Sequence, residues 1–264
     1  GLKSNVIAGN AQNGILIEGA PSNNNIVTGN IIGASGSLSQ ANPNGVGIKI
    51  SNGASSNTIG EIGVTSGNTI CGNSLAGVVI DNASANEIYN NKIGLPFQNI
   101  HGIVIQNGST NNIVGGTPAE RNIISNNDSM GVVINGSSNN IIAGNFIGTN
   151  ENGNLPAGNK IGVFMSGSSS NTIGNQSHFN LISSNSIAGI LIENSPSNTF
   201  KNNYLGTDLT GDVIYAGSGN AVGVIFKNSN SNLFGGNNTI DEENIICNSA
   251  AQGIYLENSD LNEI

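Results

Sequence analysis

The residues of this chain that could do chemistry are few and widely spaced. Sixteen carboxylates stand against seven basic side chains, giving a formal charge of −9. Glycoside hydrolysis needs two carboxyl groups facing each other at roughly 5 to 10 Å. The acid-rich stretches that could supply them are Asp208 with Asp212, and Asp241, Glu242 and Glu243. Such loop acids are ordinarily solvated decoration. Asp208 and Asp212, set among Thr207, Thr210 and Gly211, offer hard oxygen ligands in a glycine-containing turn, as does Asn150-Glu151-Asn152-Gly153-Asn154. Calcium is the ion those ligands suit, although neither stretch follows a regular calcium-binding loop. His101, His178, Cys71 and Cys247 lie in unrelated contexts, so no spacing points to zinc, and no hydroxyl, histidine and acid triad can be picked out. Arg121, the one arginine, has Glu120 beside it.

What must position these residues is a repeat. The phrase Gly131-Val132-Val133-Ile134, a glycine followed by three mostly apolar residues, begins nine times, at Gly14, Gly47, Gly77, Gly102, Gly131, Gly162, Gly189, Gly223 and Gly253, at intervals of 25 to 34 residues. Periods of that length mark solenoids or propellers. Shortly after each phrase comes Asn-x-(Ile/Val/Phe), as at Asn25-Ile26-Val27, Asn112-Ile113-Val114 and Asn198-Thr199-Phe200. Each unit therefore holds short strands that cannot bury an apolar face alone, and stacking must close the core. Two rung types alternate. In one, the polar excursion follows a second Asn-x-Ile-Gly, as after Asn145-Phe146-Ile147-Gly148. In the other it precedes that second strand, as before Asn122-Ile123-Ile124. The true unit is thus a pair of rungs, with loops at two alternating corners. Cys71 and Cys247 occupy equivalent places about six rungs apart, at roughly 4.8 Å per rung, beyond disulfide reach.

Alternation along a strand separates inside from outside. The first and third residues after each phrase glycine are always apolar, so Ile15 and Ile17, Val163 and Met165, and Val224 and Phe226 point into the core. The middle row contains Lys49 and faces out. It is otherwise apolar, and its members Val133, Phe164, Leu191, Ile225 and Tyr255 make the candidate binding stripe, since a large exposed apolar patch marks a contact surface. The alternative is that long loops cover it, with Asn150 to Lys160 bringing Leu155 and Asp208 to Ala221 bringing Val213, Ile214 and Tyr215. The recurring asparagines suit sharp corners, where Asn tolerates left-handed backbone and its amide can donate and accept along a stack. The residue after the phrase is Glu18, Asp81, Asn135, Glu193 and Glu257 in one rung type, which keeps like charges at least two rungs apart.

With 38 Gly, 9% charged residues and no Trp, the chain fits neither a helical bundle nor an ordinary α/β domain. The scarcity of cations leaves no stripe to follow a phosphate backbone, which argues against nucleic acid, and no apolar run is long enough for membrane insertion. Phrases such as Asn203-Tyr204-Leu205-Gly206-Thr207-Asp208 and Arg121-Asn122-Ile123-Ile124-Ser125-Asn126-Asn127 resemble the right-handed parallel β-helix repeats of large secreted or surface-attached bacterial proteins, part of the pectate-lyase-like fold group. The resemblance spans essentially the whole chain. It implies an all-β, single-stranded right-handed parallel β-helix of about nine rungs, one domain over residues 1–264, cut from a longer array. A lyase site of that group would need acids gathered around calcium and a Lys or Arg base, and no acid row stacks beside Arg121. The expected function is a non-catalytic extracellular or cell-surface adhesion module, a rigid spacer presenting loops to a polysaccharide or another surface protein, with no cofactor unless calcium. The alternative is a polysaccharide-active enzyme, lyase or glycoside hydrolase, using the long-loop edge as its groove.

Overall fold

The computed structural model describes residues 4–61, 67–236 and 242–264, and all regular structure within them is β. Three parallel sheets run the length of the chain, two of nine strands and one of eight. Each turn visits all three, so the molecule is a parallel β-solenoid of about eight turns. The glycine phrases form the widest sheet, in six-residue strands such as Met130–Asn135 and Ile161–Ser166. The Asn-x-Ile segments form the second, in two-residue strands such as Ile113–Val114. A third sheet, with short strands such as Phe146–Ile147, completes the triangle. Register is strict: Ile103 pairs with Val132, Val132 with Val163, and Val163 with Ile190.

The core is made by the rows that alternation assigned inward. Ile17, Ile50, Ile80, Ile105, Ile134, Met165, Ile192 and Phe226 form one buried file, and Ile59, Ile88, Val114, Ile142, Ile173 and Phe200 another. Leu16, between two inward residues, is 48% exposed. The phrase glycine has a specific steric cause. A Cβ on Gly131 would stand 2.7 Å from the Gly162 carbonyl oxygen and 3.0 Å from Ile147, so only a bare α-carbon lets successive turns close.

Buried asparagines hold the corners. Three files, from Asn5 to Asn244, from Asn10 to Asn220 and from Asn25 to Asn262, run through the stack, and in each the side-chain amide donates to the Oδ1 of its neighbour one turn on. Asn112 is typical. Its Nδ2 donates to Asn140 Oδ1 at 3.0 Å and to the Ala83 carbonyl at 3.1 Å, while its own Oδ1 accepts from the backbone and side-chain nitrogens of Asn86. One sequence expectation needs correction here. The ladder asparagine does not itself take the left-handed conformation; the residue before it does, as at Asn111 (φ 57°), Asn139 (φ 57°) and Ser170 (φ 58°). The two tasks exclude one another, because a side chain aimed inward along the file needs its backbone in register with the stack. Serines make a fourth file, with Ser137 N–H donating to Ser168 Oγ, Ser168 N–H to Ser195 Oγ and Ser195 N–H to Ser229 Oγ.

Replacing Asn112 with Ala strands the Asn86 donors in a buried corner and should cost about 2–4 kcal/mol. Gly131→Ala should cost about 1–3 kcal/mol by overpacking. Denaturant unfolding checks both, and a loss below about 0.5 kcal/mol at either site would contradict the packing described.

Candidate functional site

The structure sets Val133, Phe164, Leu191, Ile225 and Tyr255 in one file on the outer face of the phrase sheet, each paired in register with the next. The file is not evenly exposed. Val79, Val104 and Val133 are buried at 8–9%, packed among Ala76 and Met130, whereas Phe164, Leu191 and Ile225 are half-buried and Tyr255 is 42% exposed. A shallow hollow of about 510 Å³ lies over the middle of the file, walled by Leu75 and Ile100 and edged by Lys49, Gln106 and Asn135. His101 lines it, and burial holds its imidazole below the usual range.

The covering loops go elsewhere. The stretches from Asn150 and from Asp208 fold onto the third sheet, not onto the phrase sheet. Gly153 rests against Phe146 and Leu181, so that an added Cβ would be 2.8 Å from Leu181, and Gly211 rests in the same way on Ile245 and Tyr204. Thr149 and Pro156 pair antiparallel to close the first of these loops. Both loop corners border the third sheet: among the described residues, 115–121 and 174–179 enter along one edge, and 33–43, 94–98, 148–158 and 206–219 leave along the other. Loops thus form two banks with short strands between them.

Between those banks, over the earlier turns, two adjoining hollows of about 430 Å³ each make a trench. Ile31, Thr69, Lys92 and Ile123 form its floor, with Leu38 on one wall and Glu151 on another. Asn30, Asn68 and Asn90 line one of the hollows. Arg121 lines it as well. Its guanidinium carbon lies 4.0 Å above the Phe146 ring centroid, and its Nε donates to the Gly144 carbonyl at 3.3 Å. Lys92 and Glu151 form an exposed ion pair across the trench. Neighbouring Glu120 turns back to accept from the Thr117 N–H at 2.6 Å. Sequence reasoning missed this floor. The signal was the residue directly after each third-sheet asparagine, which reads Ile31, Thr69, Lys92, Ile123 and Phe146.

Burial raises the Asp208 pKa, but hydrogen bonds from the Thr210 hydroxyl and from the backbone of Thr210, Val213 and Gly211 together outweigh it and leave the carboxyl lowered, and Asp212 follows in the same exposed turn. Asn150 Oδ1 likewise accepts from Asn154 N and Leu155 N and so folds its own loop. No group of three or more His, Cys, Asp or Glu side chains gathers among the described residues. Glu242 differs from the solvated acid that the sequence suggested. It is 8% exposed and accepts from Lys201 at 2.8 Å and Gln176 at 2.9 Å, anchoring the corner. Asp241 lies outside the described residues. Cys71 is buried and Cys247 half-buried, both free, and six strand steps separate their positions in the third sheet.

No family model matches the chain, and no curated protein matches it. Among solved structures it is similar to the periplasmic alginate epimerase AlgG, with a TM-score of 0.47 and 18% identity, over 83% of this chain and 47% of the epimerase chain. The present chain spans about half the length of that protein.

Asp81 offers a pH test of the outer face. Burial raises its pKa, but hydrogen bonds from Asn107 and Lys49 and the Lys49 charge at 2.9 Å outweigh that and leave it lowered. A carboxylate with a depressed folded pKa contributes stability that is present above its unfolded pKa and lost as pH falls through the folded value. Thermal melts between neutral pH and the acid range should show a smaller acid-induced loss in Asp81→Asn than in the wild type, and parallel curves would remove the ion pair from the account.

Proposed function

We propose that this chain is a non-catalytic extracellular module, a rigid spacer whose loops and apolar file make contact with polysaccharide or with another surface protein. The observation that carries this reading is the continuity of the three asparagine files. Each is hydrogen-bonded from turn to turn, so the files are unbroken along the described turns. Nine strands stacked at ~4.8 Å give a stiff block roughly 40 Å long. The long loops among the described residues border one face, an arrangement suited to display. The extracellular placement rests on the repeat character of the sequence.

The competing reading, a polysaccharide-active enzyme, is supported by the loop-lined trench. Against it, Glu151 is the one carboxylate among the described residues lining that trench, and it is engaged by Lys92. Hydrolysis by an acid and base pair needs a second carboxyl group across the groove.

Prolonged incubation with acidic and neutral polysaccharides should release neither new reducing ends nor unsaturated ends, and a chelator should leave the melting temperature unchanged. Release of either kind of end would replace the spacer with an enzyme. A melting temperature lowered by the chelator and restored by calcium would add an ion.

A further inference from the structure

We infer that the trench between the loop banks is a binding site for a carboxylate-bearing saccharide, with Arg121 as the group that grips the carboxylate. This deepens the display reading by naming what one set of loops would hold.

In a chain of net charge −9 the described lysines mostly answer to carboxylates: Lys49 to Asp81, Lys92 to Glu151, Lys160 to Asp128 and Lys201 to Glu242. Arg121 forms no salt bridge with any described carboxylate. One of its five N–H groups is used, at the Gly144 carbonyl, and its plane is fixed by stacking on Phe146. A guanidinium held flat in this way is a preformed fork for a planar two-oxygen acceptor. It loses little conformational freedom on binding, unlike a free lysine.

The surroundings select the rest of the ligand. Thr69 brings a hydroxyl and Asn90 an amide to the hollow that Arg121 lines, the Asn30 and Asn68 amides beneath being committed to their own file, while Ile31 and Ile123 give it apolar floor. A polyhydroxylated ring needs both kinds of surface, one for its hydroxyls and one for its C–H face. The turns contributing Ile31 and Ile123 are three strand steps apart, so the trench runs at least ~14 Å along the axis, enough for a short oligosaccharide lying lengthwise. Lys92 adds a second cation midway. It is tied to Glu151, which therefore both occupies a cation and opposes an incoming anion. An acidic peptide would use the same fork but would set its backbone N–H and C=O groups against Ile31 and Ile123, where they find no partner.

Calorimetric titration of the whole chain with an oligogalacturonate, its methyl ester of equal length and a hexaglutamate peptide tests this. The carboxylate sugar should bind, and its affinity should fall with added salt. The ester and the peptide should bind at least roughly tenfold more weakly. Arg121→Gln should weaken the sugar about tenfold or more, with Arg121→Lys failing to restore it, because the fork and not the charge alone is used. Lys92→Ala should weaken it less. Glu151→Gln should strengthen it, by about threefold or more, an effect of opposite sign that a merely unfolded variant cannot produce. Equal binding of the ester, equal binding of the peptide, an Arg121→Gln variant with wild-type affinity, or no binding by the wild type would each overturn the inference. The spacer reading is judged separately: absence of binding leaves it standing, and release of sugar ends by the wild type would remove it while leaving the trench a saccharide site.

Discussion

A primary amide cannot be buried without partners for both its oxygen and its nitrogen, and in this molecule that requirement is met by another amide one turn away. Asn140 shows the result. It accepts from Asn112 and donates to Asn171, and the remaining amide hydrogen goes to the carbonyls of Ser109 and Ser138. Because Nδ2 and Oδ1 sit at opposite ends of the group, the chain of bonds has a direction and a fixed repeat close to the strand spacing. Removing any one member leaves buried groups unpaired on both sides, so each file acts as a continuous constraint on stacking. The aliphatic core sets how strongly the turns adhere. The amides set where they sit.

The remaining regularities follow from that spacing. Turns held at the strand distance bring the start of each phrase strand against the next, and only glycine leaves room there, as the close approach of Gly131 to Gly162 demonstrates. Corners must then turn within one or two residues to bring the asparagine inward. Where no loop intervenes, the residue before it takes positive φ, and Asn, Ser, Gly and even Ala85 and Leu261 occupy that place. Ala85 and Leu261 in such a conformation are held there by the stack, since neither residue favours it alone.

Much of this was legible in the chain. Period, strand identity and the inward rows follow from spacing and alternation, because an interior with strict register leaves a strict mark on residue type. The corner of each loop was legible too, from where the polar excursions fall between Asn-x-Ile segments. The direction a loop takes was not. Residues 148–158 carry Leu155, and apolar content suggested a cover for the phrase sheet, yet the antiparallel closure between Thr149 and Pro156 swings the loop over Phe146 and Leu181, leaving Leu155 59% exposed. That turn depends on Asn150 capping its own loop, a local bond with no periodic signature. The file from Asn10 to Asn220 was hidden for another reason: its members stand alternately four and three residues before the phrase glycine, as at Asn127 and Asn159, and so break any fixed motif.

The contrast between the two outer faces explains why a site arises on one of them. Six-residue phrase strands are wide enough for small side chains to shield each other, and Val79, Val104 and Val133 are buried with no loop across them. Two-residue strands have no such width, so an apolar outer row on the third sheet needs a lid. Phe146 and Leu181 are nearly or fully buried beneath the loop that carries Gly153, and Tyr204 is flanked by Phe179, stacked at 4.5 Å. Toward the earlier turns the same row changes to Thr69 and Lys92, which tolerate water, and the loop after Lys92–Ile93 is short, spanning residues 94–98. The floor is therefore mixed where the trench lies open, with Thr69 and Lys92 between Ile31 and Ile123, and it runs between one long loop that carries Leu38 and another that carries Glu151. An uncovered row of large apolar residues would invite aggregation, and a polar row under a lid would strand unpaired groups. The coincidence of a floor interrupted by Thr69 and Lys92, a short loop and a stacked arginine is what the sequence had to specify for this face to hold an open groove.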